Sequence, residues 1–128
     1  MDWSTRVGDE PPIIRLGGNL LVRLQGDLQD STIERIEREI ADEVARSGAL
    51  GVMLDVSGLA VVDSFVARVL ARLVSMIGLL GAEATVVGIQ PAVAITLVEL
   101  GVPMGHVKTA LNAEQGMARL RGRHERFQ

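Results

Sequence analysis

Gly51-Val52-Met53-Leu54-Asp55-Val56 is almost unbroken apolar sequence, and Ala84-Thr85-Val86-Val87-Gly88-Ile89 is so again. Between them, Phe65, Val66, Val69, Leu70, Leu73, Ile77 and Leu80 recur with a 3.6-residue period, which predicts a helix from about Ser64 to Leu80. Short apolar runs of this kind suit strands covered on both faces of a sheet. A strand, a helix and a second buried strand make a parallel unit joined by a right-handed crossover. That unit sets the class as α/β.

The flanking segments extend the pattern. Ile13-Ile14-Arg15-Leu16 and Leu20-Leu21-Val22-Arg23-Leu24 read as strands around a Gly17-Gly18-Asn19 turn, an N-terminal β-hairpin. Ser31 and Glu34 have the spacing of a capping box. Behind them, Ile33, Ile36, Ile40 and Val44 form an amphipathic stripe that Gly48 can terminate. Glu34, Glu37, Glu39, Asp42 and Glu43 give that helix an acidic, solvated face. Pro91 suits the first turn of a third helix, where its missing N–H costs nothing, and Gly101 suits its end. An extended stretch at His106-Val107-Lys108 and a final helix capped by Asn112, with Gln115 three residues on, complete the chain. The order β-β-α-β-α-β-α-β-α predicts one α/β domain over residues 13–122, a small mixed, mostly parallel sheet with about four helices. Residues 1–12 read as a flexible lead and 123–128 as a basic tail. Arg119, Arg121, Arg123 and Arg126 are the charges that could touch a neighbouring subunit.

Composition narrows the function. The chain has 128 residues, 48% of them apolar, but only 2% aromatic: Trp3, Phe65 and Phe127. The core is therefore aliphatic. Without cysteine there is no disulfide or thiolate chemistry, and His106 and His124 are too few for a polyhistidine metal site. A net charge of −3 and the lack of stacking aromatics argue against nucleic-acid binding. No apolar run approaches the roughly 20 residues of a membrane span. Nor does the start of the chain read as a signal peptide, so the expected location is cytoplasmic. No cofactor is expected. The strand-to-helix stretch 55–64 has one glycine and no lysine, so it is no phosphate-binding loop. Asp55 and Asp63 could form a carboxylate pair or serve as caps; as a nucleophile Ser64 would have Asp63 as neighbour, and His106 is the only histidine in the well-patterned region, so no catalytic site is expected.

Asp63-Ser64 remains conspicuous. Its structural reading is a helix N-cap. Its functional reading is a phosphoacceptor at a helix start, where a phosphate adds about −1.5 to −2 charges that the helix dipole accommodates.

Leu54-Asp55-Val56-Ser57-Gly58, Val61-Val62-Asp63-Ser64-Phe65-Val66-Ala67 and Gly88-Ile89-Gln90-Pro91 through Gly101 together resemble a STAS domain. Within that family they are similar to the RsbS-like, single-domain antagonists of bacterial stressosomes. The resemblance covers about Ile13 to Leu120. It implies a small sheet with helices packed on one side, and a non-enzymatic scaffold that sequesters a GHKL-type serine/threonine switch kinase. It assigns Ser64 as the phosphoacceptor whose modification releases that kinase. Beside it, Asp63 and Phe65 are read as supporting the site and kinase docking, and Arg68 and Arg72, one and two turns on, as flanking a partner footprint, with Arg68 counted in the docking set. It further implies self-association, assembly with longer RsbR-type STAS paralogues, and a protein phosphatase that resets the site. Thr96 lies where some RsbR-type chains carry a second phosphorylated threonine; read as sequence alone, it is an ordinary helix residue. Simple anti-sigma factor antagonists tend to have Asp-Ser-Ser-Gly here, whereas this chain has Asp63-Ser64-Phe65-Val66. A one-to-one antagonist of that kind, or a small nucleotide- or ligand-binding α/β protein, are the alternatives.

Overall fold

A computed structural model describes residues 13–26, 28–59, 62–101 and 107–126. The elements are β1 (Ile13–Leu16), β2 (Asn19–Gly26), α1 (Asp30–Ser47), β3 (Gly51–Leu59), α2 (Ser64–Leu79), β4 (Glu83–Val87), α3 (Pro91–Glu99), β5 (Lys108–Ala110) and α4 (Ala113–Arg126). This is the order predicted from the sequence. The strands form one sheet in the order β1-β2-β3-β4-β5. β1 is antiparallel to β2, and the other neighbours are parallel. The hairpin turn is tighter than expected. Only Gly17 and Gly18 lie between the paired residues Leu16 and Asn19, so Asn19 opens β2 and is buried.

Alternation along the strands sends side chains to two separate cores. Leu20, Val22 and Leu24 of β2 and Val52, Leu54 and Val56 of β3 meet the Ile33, Ile36, Ile40 and Val44 stripe of α1. Val66, Val69, Leu70, Leu73 and Ile77 of α2 join the same cluster. Residues of the opposite parity, Leu21, Met53 and Val87, pack with Ala110 and with Leu120 of α4. Helices therefore cover both faces, which corrects the one-sided packing that the family resemblance implied. The reason lies in β3, where the adjacent Met53 and Leu54 are both fully buried and so need cover on opposite sides. Gly116 brings α4 close: a Cβ there would stand 2.9 Å from Met53 Sδ and 3.0 Å from Val87 Cγ1.

The ends of the helices follow the sequence with one exception. Gly48 closes α1 at φ +67°, donating its N–H to Val44 O. Asn112 Oδ1 accepts from Gln115 N at 2.8 Å, and Gln115 Oε1 accepts from Leu111 N at 2.8 Å. Arg119 adds a hydrogen bond to Thr109 O of β5. The Ser31–Glu34 capping box does not form. Helix α1 already begins at Asp30, with Gln29 as its extended N-cap and no side-chain cap bond, so Ser31 stands inside the first turn. Helix α4 reaches Arg126, so residues 123–126 of the expected tail are helical in backbone. The expected lead at 1–12, and His106, lie outside the described residues.

Candidate functional site

Ser64, Asp63 and the β4–α3 turn lie at one pole, beyond the carboxyl ends of the parallel strands, where ligands and partners of α/β sheets commonly bind. Asp63 is the N-cap of α2. Its backbone is extended (φ −119°, ψ −173°), and its Oδ1 accepts from Val66 N at 2.9 Å. Ser64 follows as the first helical residue, exposed, with no hydrogen bond from its hydroxyl among the described residues. Phe65 is half-buried and packs against the main core cluster. Arg68 is exposed one turn further on and makes no ion pair among the described residues. Arg72, another turn on, is held by Glu37 of α1, with Nε 2.7 Å from Oε2 and a second contact of 3.3 Å to Oε1.

The other candidate hydroxyl is engaged. Thr96 Oγ1 donates to Ala92 O at 3.0 Å, the back-bond that helix interiors offer a threonine. Helix α3 around it carries apolar residues on most sides yet buries only Leu97. Ile95 and Val98 are exposed at 59% and 80%. Together with Ile89, Leu111 and α4, it borders an open groove of about 480 Å³.

The two acids weighed as a carboxylate pair do separate work. Asp55 Oδ1 accepts from both Ser57 N (3.0 Å) and Ser57 Oγ (2.7 Å). Its Oδ2 lies 4.0 Å from Arg23 Nε. Gln90 Nε2 donates to Ser57 O at 3.1 Å. Gly88, at φ +79°, lets this cluster close: a Cβ there would come within 2.9 Å of Asp55 Oδ1. A bulge in the β2–β3 register between Arg23 and Gln25 sits at the same level. The cluster ties β3 to the β4–α3 turn immediately before the segment that leads to Ser64. Sequence reading missed it. Its visible signal was an Asp-x-Ser spacing at the end of an apolar strand, the pattern of an Asx turn.

Among the described residues, no group of His, Asp or Glu could hold a metal ion, and no helix is long and apolar enough to cross a membrane.

The sequence profile of the STAS domain matches residues 10–113. The chain is 29% identical over 107 residues to the RsbT co-antagonist protein RsbRB of Bacillus subtilis, covering 83% of this chain and 39% of that one. It thus spans well under half the length of that relative. A solved serine-to-glutamate variant of RsbS from Moorella thermoacetica superposes with a TM-score of 0.77 at 32% identity, covering 90% of this chain and 97% of that chain. A chain of a stressosome, described as a signal integration and transduction hub, gives a TM-score of 0.74, also at 32% identity, over 87% and 96% of the two chains. The unphosphorylated anti-sigma factor antagonist SpoIIAA shares the fold at 14% identity, with a TM-score of 0.66 over 88% and 98%.

Proposed function

The chain belongs to the STAS domain family, and on that basis we propose that it is a non-catalytic phospho-switch and scaffold subunit of a stressosome. In this reading it holds a GHKL-type serine/threonine kinase and releases it when Ser64 is phosphorylated. The observation that carries the reading is the exposed hydroxyl of Ser64, without a hydrogen bond among the described residues, at the start of a helix whose cap is supplied by its neighbour Asp63. The cap means that the serine is not needed to begin the helix. Its likeness to RsbS and to a stressosome chain at 32% identity supports the setting. The exposed apolar residues of α3 supply a contact face for self-association and for RsbR-type paralogues. A phosphatase returns Ser64 to its hydroxyl form.

The test is to incubate the purified protein with its cognate kinase and ATP and to locate the phosphate by mass spectrometry. Modification of Ser64 is expected; phosphate elsewhere or nowhere overturns the assignment. Ser64→Asp should then weaken retention of the kinase in a pull-down, while Ser64→Ala preserves it. Equal retention by both variants counts against a charge-based switch. Mixing with an RsbR-type paralogue separates a large co-assembly from a one-to-one antagonist complex by size-exclusion chromatography.

A further inference from the structure

We propose that Arg68 captures the phosphate of phosphorylated Ser64 within the same helix, so that modification adds negative charge and withdraws a basic side chain from the docking surface at once. The inference rests on Ser64 being the modified residue.

Residues four apart on a helix lie on one face with their Cβ atoms about 5–6 Å apart, and the acid-before-base order is the more favourable one. Ser64 and Arg68 have that spacing and that order. A guanidinium fork can meet two phosphate oxygens together, and such charge-assisted pairs are the stronger kind. What distinguishes Arg68 is its availability. Arg72 is occupied by both carboxylate oxygens of Glu37, whereas Arg68 is exposed and without an ion pair among the described residues. The first turn of α2 contains no acid that could hold it. Asp63, which precedes that turn, already has one oxygen accepting from Val66 N. On α1, which packs against α2, Glu37 is already paired with Arg72, and Glu34 is exposed and unpaired among the described residues. A phosphate at position 64 would add a much stronger acceptor than either, at the end of the helix where the dipole favours anions.

The consequence for a partner is double. A kinase surface that meets this face finds one positive side chain before modification. Afterwards it finds a phosphate and an arginine already bound to it. Any acidic group on the kinase that had paired with Arg68 loses its counter-charge as well as meeting repulsion.

The test uses the full chain with phosphoserine installed genetically at position 64, which makes it independent of what a kinase chooses to modify. The second ionisation of the phosphate is followed by phosphorus-31 NMR against pH at low salt. The midpoint should rise by about 0.15–0.4 unit in Arg68→Gln, as expected for loss of an i,i+4 charge pair. Arg68→Lys should recover part of the shift, and Arg72→Gln should match the unaltered protein. The difference should shrink as salt is raised. Midpoints equal within about 0.1 unit for the unaltered protein and Arg68→Gln overturn the proposal, as does an equal shift in Arg72→Gln. Failure of a kinase to modify Ser64 would count against the proposed function alone.

Discussion

The side-chain amide of Gln90 donates to the backbone carbonyl of Ser57 over 3.1 Å, joining the β4–α3 turn to the end of β3. Ser57 is also the residue that Asp55 grips through its N–H and its hydroxyl. Ser57, near the end of β3, is thus held both by the Asp55 carboxylate and by the Gln90 amide.

Gly88→Ala should be the more damaging change in that cluster. It places a side chain at φ +79° and a Cβ within 2.9 Å of Asp55 Oδ1. Left-handed backbone alone costs an alanine roughly 1–2 kcal/mol. Gln90→Ala removes one exposed hydrogen bond and should cost about 0.5–1.5 kcal/mol at most. Urea unfolding of the two variants checks the order, and amide exchange at Ser57 should quicken in both.

Asp63→Ala should cost about 1 kcal/mol by loss of the bond from Val66 N. Asp63→Asn keeps an acceptor oxygen at the cap and should recover most of that. Chemical denaturation separates the two. If Asp63→Asn proves as damaging as Asp63→Ala, the charge, and not the cap bond, is what the position needs.

Glu43 gives the fold an acid-sensitive contact. Its hydrogen bond from Arg46, aided by the charges of Arg46 and of Arg15 on β1, holds its carboxyl below the ordinary glutamate value. A lowered folded-state value means that the carboxylate stabilises the fold above the unfolded pKa, and that this contribution fades as pH falls through the folded one. Glu43→Gln should therefore melt below the unaltered protein at neutral pH, with the gap closing in acid. A gap independent of pH would show that packing, and not charge, is responsible.

Leu120→Ala should loosen α4. Leu120 is 1% exposed and packs with Leu21, Met53 and Val87 on the second face of the sheet. Truncation of a buried leucine typically costs about 2–5 kcal/mol. Calorimetry measures the loss, and hydrogen exchange should show it concentrated in α4 while α1 and α2 stay protected.

These residues show where sequence reading reached and where it stopped. Gly48, Asp63, Pro91 and Asn112 act locally, each through its own backbone angles or a bond three or four residues away, and their roles were legible. The Ser31–Glu34 spacing was equally local but misleading, because the helix starts one residue before the serine and leaves it no extended position to cap from. The placement of α4 could not be read. Two-sided burial of β3 says that both faces need cover without saying which helix supplies it. Asp55 was visible as an acid at the end of a strand, yet its partners on the β4–α3 turn are more than thirty residues away. That Arg68 has no ion pair among the described residues while Arg72 is held by Glu37 is likewise a fact about α1, not about the spacing along α2.

The short strand β5 is the last in the sheet, and side chains of α4 hold backbone groups in it and just beyond it. Arg119 reaches Thr109 O, and Gln115 takes the N–H of Leu111. Another chain arriving as an extra strand would meet these α4 side chains beside the edge. Growth by edge-to-edge annealing is thereby discouraged on that side, which steers any larger particle toward contacts between helices and loops, where copy number can be fixed by shape instead of running on as a fibre.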